Sequence, residues 1–505
     1  MAHLLDDSAA LSDGACSVGT RCRPAHSASP EVPQTGVSMC PDGALLVLCR
    51  LAMPVPCALG EGWSGAQAHQ GSGALCLHSR RGALDSRNGA VVTGVRSDAV
   101  ARVPGGPLFT ALLSMCLALP VQAADNDPLL TALETELARL QTSLASQPEP
   151  PHWMEVQVVD RHTLDLLATH GASGGPPRWH HSRVGDVDVR VGSAELDNTH
   201  KLRDAGWYDE EARFALDLPL ADEDPRVTQL ALWRAAEATY REAARRLIRV
   251  KSNDAVKVDR EDGSADFSAA PKIVDIQPTQ PLELDTDAWQ AALRAASARF
   301  LDHPIVFDSN VSLHAQDDVT YLINTDGTRI RHQRWRLRVS VWAGTVAEDG
   351  QELSIYDYVD AASPGGLPTP EALNALVDQL AVRLEQLREA PLVDPYVGPA
   401  ILRGRAAGVF FHEILGHRVE GHRQKDEDEG QTLTDKVGQR IFPAFIQVTD
   451  DPTIKQWPTA SGPIDLNGHY PYDDEGVASE RVKIIEDGVL KGFLMSRAPI
   501  ESQSV

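Results

Sequence analysis

All seven cysteines (Cys16, Cys22, Cys40, Cys49, Cys57, Cys76 and Cys116) precede residue 117. The long remainder therefore folds without a disulfide or a cysteine-held metal of its own, on apolar burial and hydrogen bonding alone. The break coincides with a distinctive segment, residues 102–123. Arg102 supplies a positive flank, and residues 108–119 (LFTALLSMCLAL) form an apolar run too short to span a bilayer as a mature helix. Pro120-Val121-Gln122-Ala123 then presents small residues where a signal peptidase reads, just before Ala124-Asp125. A buried apolar helix is the competing reading, but Pro120 and the small-residue exit favour a Sec-type signal cleaved after Ala123. Met115 is too bulky for a lipoprotein signal at Cys116. The expected location is periplasmic or secreted. A signal belongs at the start of a protein, and residues 1–101 are rich in Gly, Ala, Ser and Arg with no sustained period. They are expected to be an upstream extension from a misplaced start, the alternative being a cysteine-rich domain.

A chain of 505 residues has room for two or three domains, and 42% apolar with 23% charged residues is ordinary for a globular protein. The net charge of −24 argues against a nucleic-acid binder or a partner of anionic membranes. No membrane span is expected in the mature chain. Asp127-Pro128 caps a helix whose buried stripe is Leu129, Leu130, Leu133, Leu137, Leu140 and Leu144. Strands are expected at 153–160 and 186–192. A helix opened by Asp224-Pro225 runs to about Val250 with Leu230, Trp233, Tyr240 and Leu247, and another covers 287–301. Further strands are expected at 305–314, 319–324, 328–331, 335–341 and 354–359, with Asp326-Gly327 as a tight hairpin turn. Ser363-Pro364-Gly365-Gly366 reads as a linker, after which Thr369-Pro370 caps a helix to Arg388. The expected fold class is α+β in two domains: residues 124–365 with helices and antiparallel strands, then a sheet-rich unit, residues 366–505.

The chemistry concentrates in Phe410-Phe411-His412-Glu413-Ile414-Leu415-Gly416-His417. Residues five apart lie about 140° apart around a regular helix, so His412 and His417 cannot both face one ion unless the helix bulges or stops between them. Gly416 suits a stop. The apolar approach, residues 406–411, suggests a buried helix delivering polar groups to its end. Spacing alone leaves a solvated helix end open beside zinc binding.

The stretch from Gly398-Pro399 through His417, followed by Tyr472-Asp473-Asp474-Glu475-Gly476-Val477 and the run from Ile484 to Gly492, resembles the TldD/PmbA family of metallopeptidases. Tyr321 to Gly327 (YLINTDG) is similar to that family's N-terminal hairpin. The resemblance implies a zinc-dependent peptidase acting on unstructured peptides or proteins. His412 and His417 would be zinc ligands and Glu413 the catalytic base. It also implies a homo-oligomer, or a hetero-oligomer with a PmbA-like subunit. The alternative is a non-catalytic partner subunit, against which the intact His412, Glu413 and His417 speak. The family's third ligand is a cysteine in a later segment, and none follows Cys116, so the chain is expected to be a fragment. His422, His469 and the acidic residues 426–429 are the substitutes at hand.

Overall fold

The computed structural model describes residues 75–77, 127–202, 216–220, 224–254, 263–425, 431–459 and 462–501. The expected export segment and nearly all of residues 1–101 lie outside these, as do residues 426–429.

Helix α1 (Pro128–Leu144) begins where the capping signal places it. The Asp127 carboxylate accepts from the backbone N–H groups of Leu129 and Leu130, both at 3.0 Å, and the six leucines of the expected stripe are buried. Four long strands then build one antiparallel sheet: β1 (Pro151–Thr169), β2 (Arg178–Val191), β3 (Asp308–Asn324) and β4 (Arg329–Val346), in the spatial order β2-β1-β3-β4. The strand β5 (Glu352–Ala361) pairs with the second half of β4, and Val274–Ile276 runs parallel to its start. Gly327, at φ 90°, makes the β3–β4 turn, donating to the Asn324 carbonyl at 3.0 Å.

The strands are longer than expected. Residues 305–314 and 319–324 belong to one strand with a later start, and 328–331 and 335–341 likewise merge. Gln316, Asp317, Asp318 and Gln333 interrupt the apolar alternation but not the ladder, because each finds a polar partner. Arg161 holds Asp318 at 2.7 Å, Gln316 donates to Asp318 at 2.6 Å, and Gln333 donates to Asp317 at 2.6 Å.

Helices α1 and α2 (Pro225–Asp254) pack with Val156, Val158, Val187, Val189 and Ile323. Leu230 and Trp233 are exposed on α2, whose buried side is Leu232, Ala236, Tyr240 and Leu247. Helices α3 (Thr286–Ala298) and α4 (Pro370–Glu389) pack with Leu164, Leu166, Leu313, Val339 and Val341. Thus α4, read from sequence as the opening of the second unit, is part of the large sheet's core. Pro364–Gly366 is a short 3-10 turn leading into it.

A third cluster lies further along. Leu415, Val419, Ile446, Val448, Ile484, Ile485, Leu490 and Phe493 pack together beneath a small sheet. That sheet contains β6 (Val448–Asp450), β9 (Val482–Glu486) and β10 (Val489–Leu490), with Leu75–Leu77 antiparallel to β6. Between them, β7 (Gln456–Thr459) and β8 (Gly462–Asp465) form a separate hairpin. Arg497 joins this part to the large sheet. It lies 4.0 Å over the Phe267 ring and donates to Ser268 O at 2.8 Å and to Asp326 at 3.0 Å. The architecture is α+β. Among the described residues, no helix is long and apolar enough to cross a membrane.

Candidate metal centre

The helix α5 (Gly404–Ile414) carries His412 and Glu413 in its last turn. It is not the buried helix its apolar run suggests: Val409 is 59% exposed, and Phe411 is its one buried residue. Anchoring comes after the helix, where Leu415 and Val419 enter the third core cluster. Leu415, at φ −130° and ψ −46°, leaves helical geometry, and a 3-10 turn (Gly416–Val419) carries His417. The stop lies one residue before Gly416, which does not adopt a left-handed conformation.

That change of pitch cancels the divergence of a five-residue spacing. The rings of His412 and His417 meet edge to face, with centroids 4.4 Å apart and planes at 74°. One potential ligand atom from each of His412, Glu413 and His417 lies within 4.8 Å of the others. Glu413 Oε1 is 4.0 Å from His412 Nε2. The side chains of His412 and Glu413 are 58% and 62% exposed, so small molecules reach them freely.

A residue that sequence reading passed over completes the arrangement. Glu420 Oε1 lies 2.8 Å from His417 Nδ1, and its Oε2 accepts from Arg423 Nε at 2.5 Å. Burial pushes the Glu420 carboxyl up, but hydrogen bonds from Arg423 and His417 outweigh it and hold the group below the usual carboxylate range. An ionised carboxylate only accepts, so Nδ1 of His417 carries a proton, and in the neutral ring Nε2 is then the nitrogen with the lone pair. The available signal was positional, because side chains three apart eclipse on a 3-10 turn. The turn is held from below by the segment around Leu494. Leu494 N donates to Val419 O and Gly421 N donates to Leu494 O, both at 2.7 Å. A Cβ on Gly421 would sit 2.7 Å from the Leu494 carbonyl oxygen, a backbone atom that cannot swing aside, so the approach requires glycine.

Of the substitute ligands, His422 stands 3.6 Å from Glu420 Oε2, and His469 Nδ1 donates to Pro452 O at 2.7 Å. Neither belongs to the cluster. The Asp473 to Val477 segment is structural. Asp473 accepts from Glu475 N and Val477 N, Glu475 accepts from Arg497 N at 2.6 Å, and Tyr472 donates to Asp275 at 2.6 Å. Two imidazoles, one with its tautomer fixed by a carboxylate, beside a free carboxylate, suit a divalent zinc ion. His412 and His417 would hold it, with room for further ligands.

Residues 396–502 match the family model described as the PmbA/TldA metallopeptidase C-terminal domain. A metalloprotease of Archaeoglobus fulgidus is 31% identical over 143 residues, 28% of this chain and 28% of that protein. A zinc metalloprotease TldD homolog of Saccharolobus solfataricus is 35% identical over 99 residues, 20% of each chain. These matches span under a third of either relative. Among solved structures, TldE from Thermococcus kodakarensis aligns with a TM-score of 0.43 and 14% identity, covering 72% of this chain and 69% of that one.

Proposed function

We propose that this chain, whose residues 396–502 match the PmbA/TldA metallopeptidase C-terminal domain, is a zinc-dependent peptidase whose centre is His412, Glu413 and His417. The observation that carries the reading is the convergence of the two imidazoles at 4.4 Å across a helix break that a structural helix end does not need. When bound, zinc supplies the Lewis acidity that acidifies water and polarises a peptide carbonyl. Glu413, whose Oε1 is 4.0 Å from His412 Nε2 and whose side chain is 62% exposed, would take a proton from water at a carboxylate oxygen. It then returns that proton to the departing amine nitrogen. Glu420 keeps His417 in the tautomer that presents Nε2.

The exposure of this centre fits unstructured peptides or unfolded proteins as substrates, since no wall of the described residues encloses it. Assembly as a homo-oligomer, or with a PmbA-like subunit, is part of the same proposal. It is supported by exposed apolar residues on α5 and on the segment that precedes it, where Leu392, Val393, Val397 and Val409 are 85%, 88%, 81% and 59% exposed. Export through the segment 102–123 to the periplasm or beyond is proposed on the sequence pattern alone. Zinc analysis of full-length protein tests the ligand assignment: His412→Ala and His417→Ala should each lower bound zinc. Full retention in both variants would end it.

A further inference from the structure

Successive residues of a strand face opposite sides of the sheet, so the even-numbered residues of β1 share one face. Val156 and Val158 on that face lie under α1 and α2, and Leu164 and Leu166 under α3 and α4. Between these two apolar clusters the same face carries Asp160 and His162. The neighbouring strands continue the polar belt. His181 and Arg183 on β2 stand opposite His162 and Asp160, and Asp317 on β3 stands opposite His162. Polar residues on a face that is otherwise core are costly unless paired.

We propose that Asp160, His162 and His181 form a second metal site, distinct from the peptidase centre, that takes a divalent transition cation of the zinc class. One potential ligand atom from each of the three lies within 4.8 Å of the others. His162 and His181 are directly cross-strand, the arrangement that brings two side chains of an antiparallel pair closest. Their rings stack at 3.8 Å with planes 18° apart, so both would rotate about their side-chain bonds to turn one lone pair each onto a shared ion. Asp160 forms the floor. Its Oδ1 is 2.5 Å from His181 Nε2, while its Oδ2 accepts from Arg183 Nη2 at 2.5 Å, which fixes the carboxylate plane. The Asp160 side chain is 14% exposed and that of His181 33%, with His162 outermost, so an ion enters from solvent and meets the carboxylate at the bottom.

Two imidazoles and one carboxylate select borderline cations such as Zn2+, whereas Ca2+ and Mg2+ prefer all-oxygen sets. Arg183 opposes a cation here, and Asp317, whose Oδ1 accepts from Gln333 at 2.6 Å, lies on the other side of His162 and offsets it. A shared ion also explains why two histidines are stacked at a position where both protonated rings would repel. The site bridges β1 and β2 at the seam between the two helix pairs, where the sheet has no apolar cover of its own.

The test uses full-length protein carrying His412→Ala and His417→Ala, which removes the proposed peptidase centre and keeps the two claims separable. Equilibrium dialysis against Zn2+ should then still find one bound ion, undisplaced by excess Ca2+. Adding His162→Ala and His181→Ala should weaken that binding by more than the ~100-fold that marks loss of an outer-shell partner. His180→Ala, an exposed histidine paired with Thr163, should leave it unchanged. If the quadruple variant does not fold, His162→Gln in the same background, at an exposed side chain, carries the same expectation. Absence of zinc from the His412/His417 background, or zinc binding indifferent to His162 and His181, overturns the proposal.

Discussion

Replacing Glu420 by glutamine isolates the orientation of His417 from its identity. Glutamine keeps the length of the side chain and an oxygen that can accept from His417 Nδ1, now at 2.8 Å. It loses the negative charge that makes both this bond and the one from Arg423 Nε charge-assisted. Such bonds are roughly twice as strong as neutral ones, so the change should cost the His417 tautomer about 1.4 kcal/mol or somewhat more. That corresponds to about tenfold in zinc affinity, at the lower end of the 10- to 100-fold range for an outer-shell carboxylate. Chelator competition on wild type and Glu420→Gln, with peptide hydrolysis followed at limiting and at saturating zinc, reads the effect. Hydrolysis should fall at limiting zinc and recover largely at saturation, because Glu420 touches no substrate in this scheme. Unchanged zinc affinity in a folded variant would show that the Glu420–His417 bond is a surface ion pair with no bearing on the metal.

Arg497→Ala removes a buried guanidinium that donates to Ser268 O and Asp326 and stacks on Phe267, so stability should fall by about 3 kcal/mol in denaturant titration; a loss below about 1 kcal/mol would contradict the join described for it. Burial, with Asp451 beside it, pushes the Asp450 carboxyl up to about 6. Its folded value therefore exceeds its unfolded one. Its protonated form stabilises the fold below about pH 4, and that stability is lost as pH rises through 6, by at most about 3 kcal/mol. Asp450→Asn should gain stability over wild type at pH 7 but not at pH 4, and equal differences at both would refute the assignment. N-terminal sequencing of exported material should begin at or near Ala124, and a mature chain that retains Cys16 to Cys76 would contradict the export reading.

What the sequence made legible was whatever depended on neighbours in the chain. The Asp127 cap, the α1 leucine stripe and the Asp326-Gly327 turn are local effects, and each falls where the residues indicate, while the break between His412 and His417 comes one residue before Gly416. Strand lengths were not local. Gln316, Asp317 and Gln333 look like interruptions until Arg161, Asp318 and the facing strands supply their partners. The placement of α4 was hidden for a similar reason. Ser363-Pro364-Gly365-Gly366 has the composition of a linker, but whether a helix beyond such a turn folds back depends on the sheet surface awaiting it, here Leu313, Val339 and Val341. At the candidate metal centre, His412, Glu413 and His417 were visible from their identities. Glu420 was not, because its role follows from the 3-10 pitch that the helix adopts only after Leu415.

The most direct test of the central claim separates the base from the ligands in one variant. Glu413→Gln keeps nearly the same volume and leaves both imidazoles in place, so full-length protein should retain wild-type zinc content. Peptide hydrolysis at equal zinc should fall by about 10²- to 10⁴-fold, the range for loss of a general acid–base group. Undiminished hydrolysis by Glu413→Gln would contradict the account.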